Sequence, residues 1–158
     1  MFPSHDHGGM KKLFLDDFRD PWDDSWILVK NYKEFVEWIE NNGIPDVVSF
    51  DHDLHPEHYA PSSEWGNEDV YRRRYRNFTH KTGMNAAEWL TSLCVERGVN
   101  IPPCFVHSAN PVGARMIAFE IMTKSLFYYE EEIDVPLRQY NEGPPTDFCL
   151  SGTSISSS

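Results

Sequence analysis

The chain has 158 residues, 40% of them hydrophobic and 14% aromatic, which predicts one domain with a real core and excludes a wholly disordered protein. Its 14 Lys and Arg stand against 25 Asp and Glu, a formal net charge of −11, so its overall field does not attract nucleic acid. No apolar run reaches the roughly 18 residues that a membrane helix needs, and the first ten residues do not read as a signal peptide.

Cys94, Cys104 and Cys149 are too widely spaced for a disulfide framework or a zinc pattern, and a reducing cytoplasm is the expected setting.

Residues 1–10 are polar and Gly-containing and read as a flexible arm. A first strand follows over Lys12–Asp16 and a second over Trp26–Lys30. The next helix has Asn31 as its cap, Glu34 three residues on, and Tyr32, Phe35, Val36 and Ile39 on one face; Gly43 ends it. Pro45 opens a third strand over Val47–Asp51. Residues 55–81 then break the rhythm, with prolines, histidines, an acidic part and a basic cluster, and read as an insertion with a short helix over 67–78.

Regularity returns at Gly83, where a helix over Met84–Arg97 buries Ala87, Leu90, Leu93 and Cys94. A fourth strand spans Cys104–Ser108. Asn110 caps the last clear helix, with Pro111 at its first position and Val112, Met116, Phe119 and Leu126 as its apolar stripe. Residues 126–158 form a C-terminal extension with a possible fifth strand over Val135–Tyr140 and an end expected to be disordered. Residues 11–125 are thus one α/β domain.

Strands separated by helices predict a mostly parallel sheet of four or five strands, covered on both faces: a doubly wound, flavodoxin-like three-layer sandwich of order 2-1-3-4. The ligand crevice of such a sheet lies outside the carboxyl ends of its strands, between the first and third.

The polar clusters fall at those ends. Asp16 and Asp17 follow the first strand, Asp51, His52 and Asp53 the third, and His107, Ser108 and Asn110 the fourth. One such carboxylate is commonly a turn or cap residue. Several converging at one crevice repel and call for a hard cation such as Mg²⁺ or Mn²⁺. Asp51 is the best single ligand. A lone His is more often a buried core residue, but His52 and His107 lie where a general acid and base are needed. The helix opening at Asn110 offers amides to an anion, with Ser108 and Arg115 near it. Arg72, Arg73, Arg74 and Arg76, interleaved with Tyr71 and Tyr75, read as an exposed helix face or a local RNA contact.

Leu15–Pro21 (LDDFRDP), Ser49–Leu54 (SFDHDL), Thr82-Gly83 before a helix, and Val106–Pro111 (VHSANP) with Gly113 together resemble the cyclic-phosphate-processing receiver domains, over about residues 11–125. The resemblance implies a receiver-like fold, a Mg²⁺ site at Asp16, Asp17 and Asp51, with Asp51 in the place of the receivers' phosphoryl acceptor and Ser108 in that of their switch hydroxyl, and processing of 2′,3′-cyclic phosphate ends. Signalling receivers place a phosphate-binding Lys after a fifth strand; none is found here, while His52, Asp53 and His107 are extra. Both departures favour hydrolysis over stable phosphorylation.

The resulting expectation is a metal-dependent phosphoesterase acting on a cyclic or terminal phosphate of a nucleotide or RNA end. Its metal ligands would be Asp16, Asp17 and Asp51. Its catalytic residues would be His52, His107 and Asp53, and Ser108, Asn110 and Arg115 would bind phosphate. A non-catalytic nucleotide- or RNA-end-binding protein and a receiver-type signalling module are the alternatives.

Overall fold

A computed structural model describes residues 9–59, 61–64 and 67–129 of the chain. Four strands, β1 (Lys12–Leu15), β2 (Trp26–Val29), β3 (Val47–Phe50) and β4 (Cys104–Val106), form one sheet of order β2-β1-β3-β4. Every pairing is parallel, with Leu15 opposite both Val29 and Phe50, and Phe50 opposite Val106. This is the predicted receiver-like order. The possible fifth strand and most of both the N-terminal arm and the C-terminal extension lie outside the described residues.

The helices are α1 (Tyr32–Asn42), α2 (Glu68–Tyr75), α3 (Gly83–Arg97) and α4 (Pro111–Tyr129). Asn31 caps α1 by accepting from the Glu34 N–H at 2.8 Å, while Glu34 reaches back to the Lys30 N–H rather than to the cap itself. Phe35, Trp38 and Ile39 are the buried residues of α1. Thr82 and Asn85 make a reciprocal capping box at the start of α3.

Strand alternation divides the interior in two. Leu13, Leu15, Ile27, Val29, Val48, Phe50, Cys104 and Val106 share one core with residues of α1, α3 and α4. Among the described residues, these three helices therefore cover one face of the sheet. The other face carries Phe14, Ser49 and Trp26, with Trp22 set edge-on to Phe14 at 5.1 Å. No helix joins β1 to β2, because residues 16–25 are fewer than the dozen or so that a helical crossover requires.

One stripe differs from its prediction. In α4 the buried apolar side chains are Val112, Ala114, Ile117, Ala118 and Ile121, whereas Phe119 is 63% exposed. Small Ala side chains let α4 approach the sheet closely, so the inward face is not the one with the largest apolar residues. Of the three cysteines, Cys94 and Cys104 are buried and unbridged; Cys149 lies outside the described residues. Among the described residues, no helix is long and apolar enough to cross a membrane.

Candidate functional site

The strands end in register, and their backbone ladder runs one residue further. Asp16 N–H donates to Val29 O, Asp51 N–H to Leu15 O and His107 N–H to Phe50 O, at 3.0, 2.9 and 2.9 Å. These bonds fix the three polar clusters side by side at one edge of the sheet. One carboxylate oxygen each from Asp16, Asp17 and Asp51 lies within 4.8 Å of the others.

Asp16 is buried and fully engaged. Its Oδ1 accepts the backbone N–H groups of Phe18 and Arg19, both at 2.8 Å. Its Oδ2 faces His107 Nε2 at 3.0 Å and Arg19 at 3.6 Å. Burial works to raise the pKa of Asp16, but the bonds from His107, Arg19 and Phe18 outweigh it and hold the acid below its ordinary value. Asp51 goes the other way. Burial and the charges of Asp16 and Asp53 push its pKa well above the usual carboxylate value, against the weaker pull of Arg19. Asp17 is also raised by burial, opposed by the hydroxyl of Tyr59, which donates to it at 3.0 Å. The acids around Asp51 thus disfavour its charged form.

The two histidines have separate surroundings. His107 is stacked flat on Phe14, with ring centroids 4.2 Å apart, and its Nδ1 is 2.7 Å from Ser49 Oγ. Asp16 as a carboxylate can only accept, so Nε2 carries the proton and Nδ1 accepts from Ser49. Burial lowers the pKa of His107 although Asp16 pulls it up, so the ring is neutral. Both nitrogens are committed, which makes His107 a holder of Asp16.

His52, wholly buried, sends Nδ1 to Asp53 Oδ1 at 2.7 Å. Its ring occupies the space where a Cβ on Gly113 would sit, only 2.4 Å away. The strand ends at Phe50, and Asp53 turns back onto His52.

The expected phosphate ligands are placed unequally. Asn110 donates its side-chain N–H to Asp53 at 3.2 Å and accepts the Gly113 N–H at 3.0 Å. Asn110 thus caps α4, and the Gly113 amide is satisfied within the helix. Ser108 Oγ accepts the Asn110 N–H at 3.1 Å and, as a hydroxyl, keeps one proton to donate. Arg115 is not brought to this cluster; it is exposed and lines a separate groove with Arg72, Met84, Val112, Met116 and Phe119. Its position in the first turn of α4 points it away from the strand ends. The other arginines are also dispersed. Arg74 pairs with Glu64 at 2.8 Å, and Arg73 Nε reaches Asp69 O at 3.5 Å.

Two features, Tyr59 and the grouping of His55, Glu57 and His80, were not singled out from the sequence, whereas Gly83 was. Tyr59 binds Asp17 from within the insertion. Gly83 lets α3 start against β3, since a Cβ there would meet Asp51 O at 1.8 Å. His55, Glu57 and His80 form a second cluster, with ligand atoms within 4.8 Å of one another. The histidines were visible in the sequence, but their partnership depends on how the insertion folds.

The family of cyclic-phosphate processing receiver domains matches residues 11–122. The chain belongs to that family. No curated protein and no solved structure matches the chain.

Proposed function

We propose that the protein is a metal-dependent phosphoesterase that opens a 2′,3′-cyclic phosphate, or removes a terminal phosphate, on a nucleotide or RNA end. The observation that carries this reading is the trio Asp16, Asp17 and Asp51, with oxygens within 4.8 Å of one another and Asp51 forced toward its protonated form. All-oxygen ligands of this charge suit Mg²⁺ or Mn²⁺. Such an ion would neutralise charge on the phosphate oxygens and lower the pKa of a bound water.

The chain's own groups supply the rest. His107 and the Phe18 and Arg19 amides hold Asp16 in one orientation. The Asp53–His52 pair takes a proton from the attacking water. As the new P–O bond forms, the bond to one ribose oxygen breaks, and that oxygen receives a proton from the same pair, leaving a phosphomonoester. Ser108 donates its hydroxyl proton to a non-bridging oxygen.

The test is incubation with Mg²⁺ or Mn²⁺ and a panel of 2′,3′-cyclic nucleotides and phosphate-ended RNA oligomers, with products read by mass. Ring-opened product that disappears in Asp51→Ala is expected. No product from any substrate with either ion would sink the proposal.

A further inference from the structure

A cavity of about 850 Å³ opens beside the carboxylate trio, with Asp17 in its wall. The volume lies in the range of small-ligand sites, roughly 300–1,000 Å³. The insertion contributes His55, Thr79 and His80 to the same lining. The two imidazoles are stacked, 3.5 Å between centroids and 9° from parallel.

This stack is held rigidly. Glu57 Oε2 lies 2.6 Å from both His80 Nδ1 and the His80 N–H, and the same carboxylate accepts from the Thr79 N–H at 3.1 Å. The Glu57 N–H in turn donates to His55 Nδ1 at 3.2 Å. His55 is half-buried, whereas the His80 side chain is 54% exposed. The outer ring of a fixed aromatic stack is therefore presented at a cavity that also reaches Asp17. Three lysines and three acidic residues line the cavity, so its charges balance. A balanced wall gives no preference for a further phosphate and suits a neutral heterocycle.

We propose that this cavity is the nucleoside subsite of the phosphoesterase, with the substrate base continuing the His55–His80 stack. The inference rests on the proposed function and adds to it the place where the nucleoside of the substrate is held. Stacking on aromatic side chains, His included, is the usual way a protein holds an unpaired base.

The test compares 2′,3′-cyclic AMP with glycerol 1,2-cyclic phosphate, which carries the same cyclic ester without a base. The affinity ratio of the two is measured by calorimetry with Mg²⁺ in wild type, His80→Ala and His80→Phe. Removing a stacking ring typically weakens a base contact enough to lower this ratio about tenfold in His80→Ala. His80→Phe keeps a ring but neither the side-chain bond to Glu57 nor a metal-ligating nitrogen, and should retain the ratio. An unchanged ratio in His80→Ala overturns the subsite. A ratio lost equally in His80→Phe also overturns it and assigns the histidines to charge or metal binding. Adenosine alone is titrated in parallel. Its binding, if dependent on a ring at position 80, upholds the subsite even where neither cyclic ester is hydrolysed, and so separates failure of the subsite from failure of the phosphoesterase reading.

Discussion

His107 and Asp16 stand 91 residues apart in sequence and 3.0 Å apart in space, joined by an Nε2–H that the carboxylate holds in one tautomer. Ser49 completes the chain at the other ring nitrogen. Each group is buried, so the loss of any one leaves another without its partner.

The first prediction follows from that dependence. His107→Leu should destabilise the fold by about 3 kcal/mol, because a buried carboxylate loses its main donor. The pKa of His107 is lowered in the fold, so the unfolded chain takes up a proton that the folded chain refuses. The stability contributed here is full above the ordinary His value of 6.5 and declines as pH falls below it. Denaturant melts of wild type and His107→Leu between pH 7 and 5 should show a steeper loss for wild type. Parallel slopes would contradict the assignment.

Asp51 predicts the opposite sign. Its folded pKa lies above the ordinary 3.8, so its favourable contribution is complete below that value and is lost as pH rises through the folded one. At neutral pH and without divalent ions, Asp51→Asn should be more stable than wild type by at least about 1 kcal/mol. Added Mg²⁺ should narrow or reverse the gap by stabilising wild type alone. Thermal melts with EDTA and with Mg²⁺ measure both.

Two glycines test the close approaches around the site. Gly83→Ala sets a Cβ against the Asp51 carbonyl, a backbone atom that cannot swing aside, and should cost about 3 kcal/mol or more. Gly113→Ala meets the His52 ring instead, so it should cost less, about 1–3 kcal/mol, while turning His52 away from Asp53. The His52 imidazole resonances would report that rotation.

Asp53→Asn should leave the fold close to wild type in stability, because the amide still bonds Asn110 and His52 in one orientation. Under the proposed reaction it should lower kcat by about 10²–10⁴ with little change in KM. Arg115→Ala, on its separate groove, should change either constant by less than about twofold. Steady-state kinetics on a 2′,3′-cyclic nucleotide would decide both.

The sheet order was legible because each strand is a short apolar run and each polar cluster follows directly on one. Leu15-Asp16, Phe50-Asp51 and Val106-His107 all mark the same edge, and one rule for parallel sheets brings them together. That rule gathers the carboxylates, and the resemblance to the receiver family is what singled out Asp16, Asp17 and Asp51 among them. What the sequence did not disclose is direction. Arg115 follows Asn110 by five residues, yet a helix rotates it onto another face. His107 reads as a general acid or base by its place after a strand, yet Phe14 and Trp22 enclose it. The insertion was opaque for another reason: Tyr59, Glu57 and His80 find their partners through turns with no periodic pattern, so no spacing announces them.

The Gly83 N–H donates to His52 O at 2.8 Å. The insertion therefore leaves and rejoins the sheet at almost the same point, like a bracelet closed by one clasp. The cost of closing such a loop rises only slowly with its length, by about 0.6 kcal/mol per doubling. Within that loop, residues 55–81 can change in length at small entropic cost while Asp51, Asp53 and α3 stay where they are. The wall facing Asp17 is thus an interchangeable part, and the reacting groups belong to the frame that carries it.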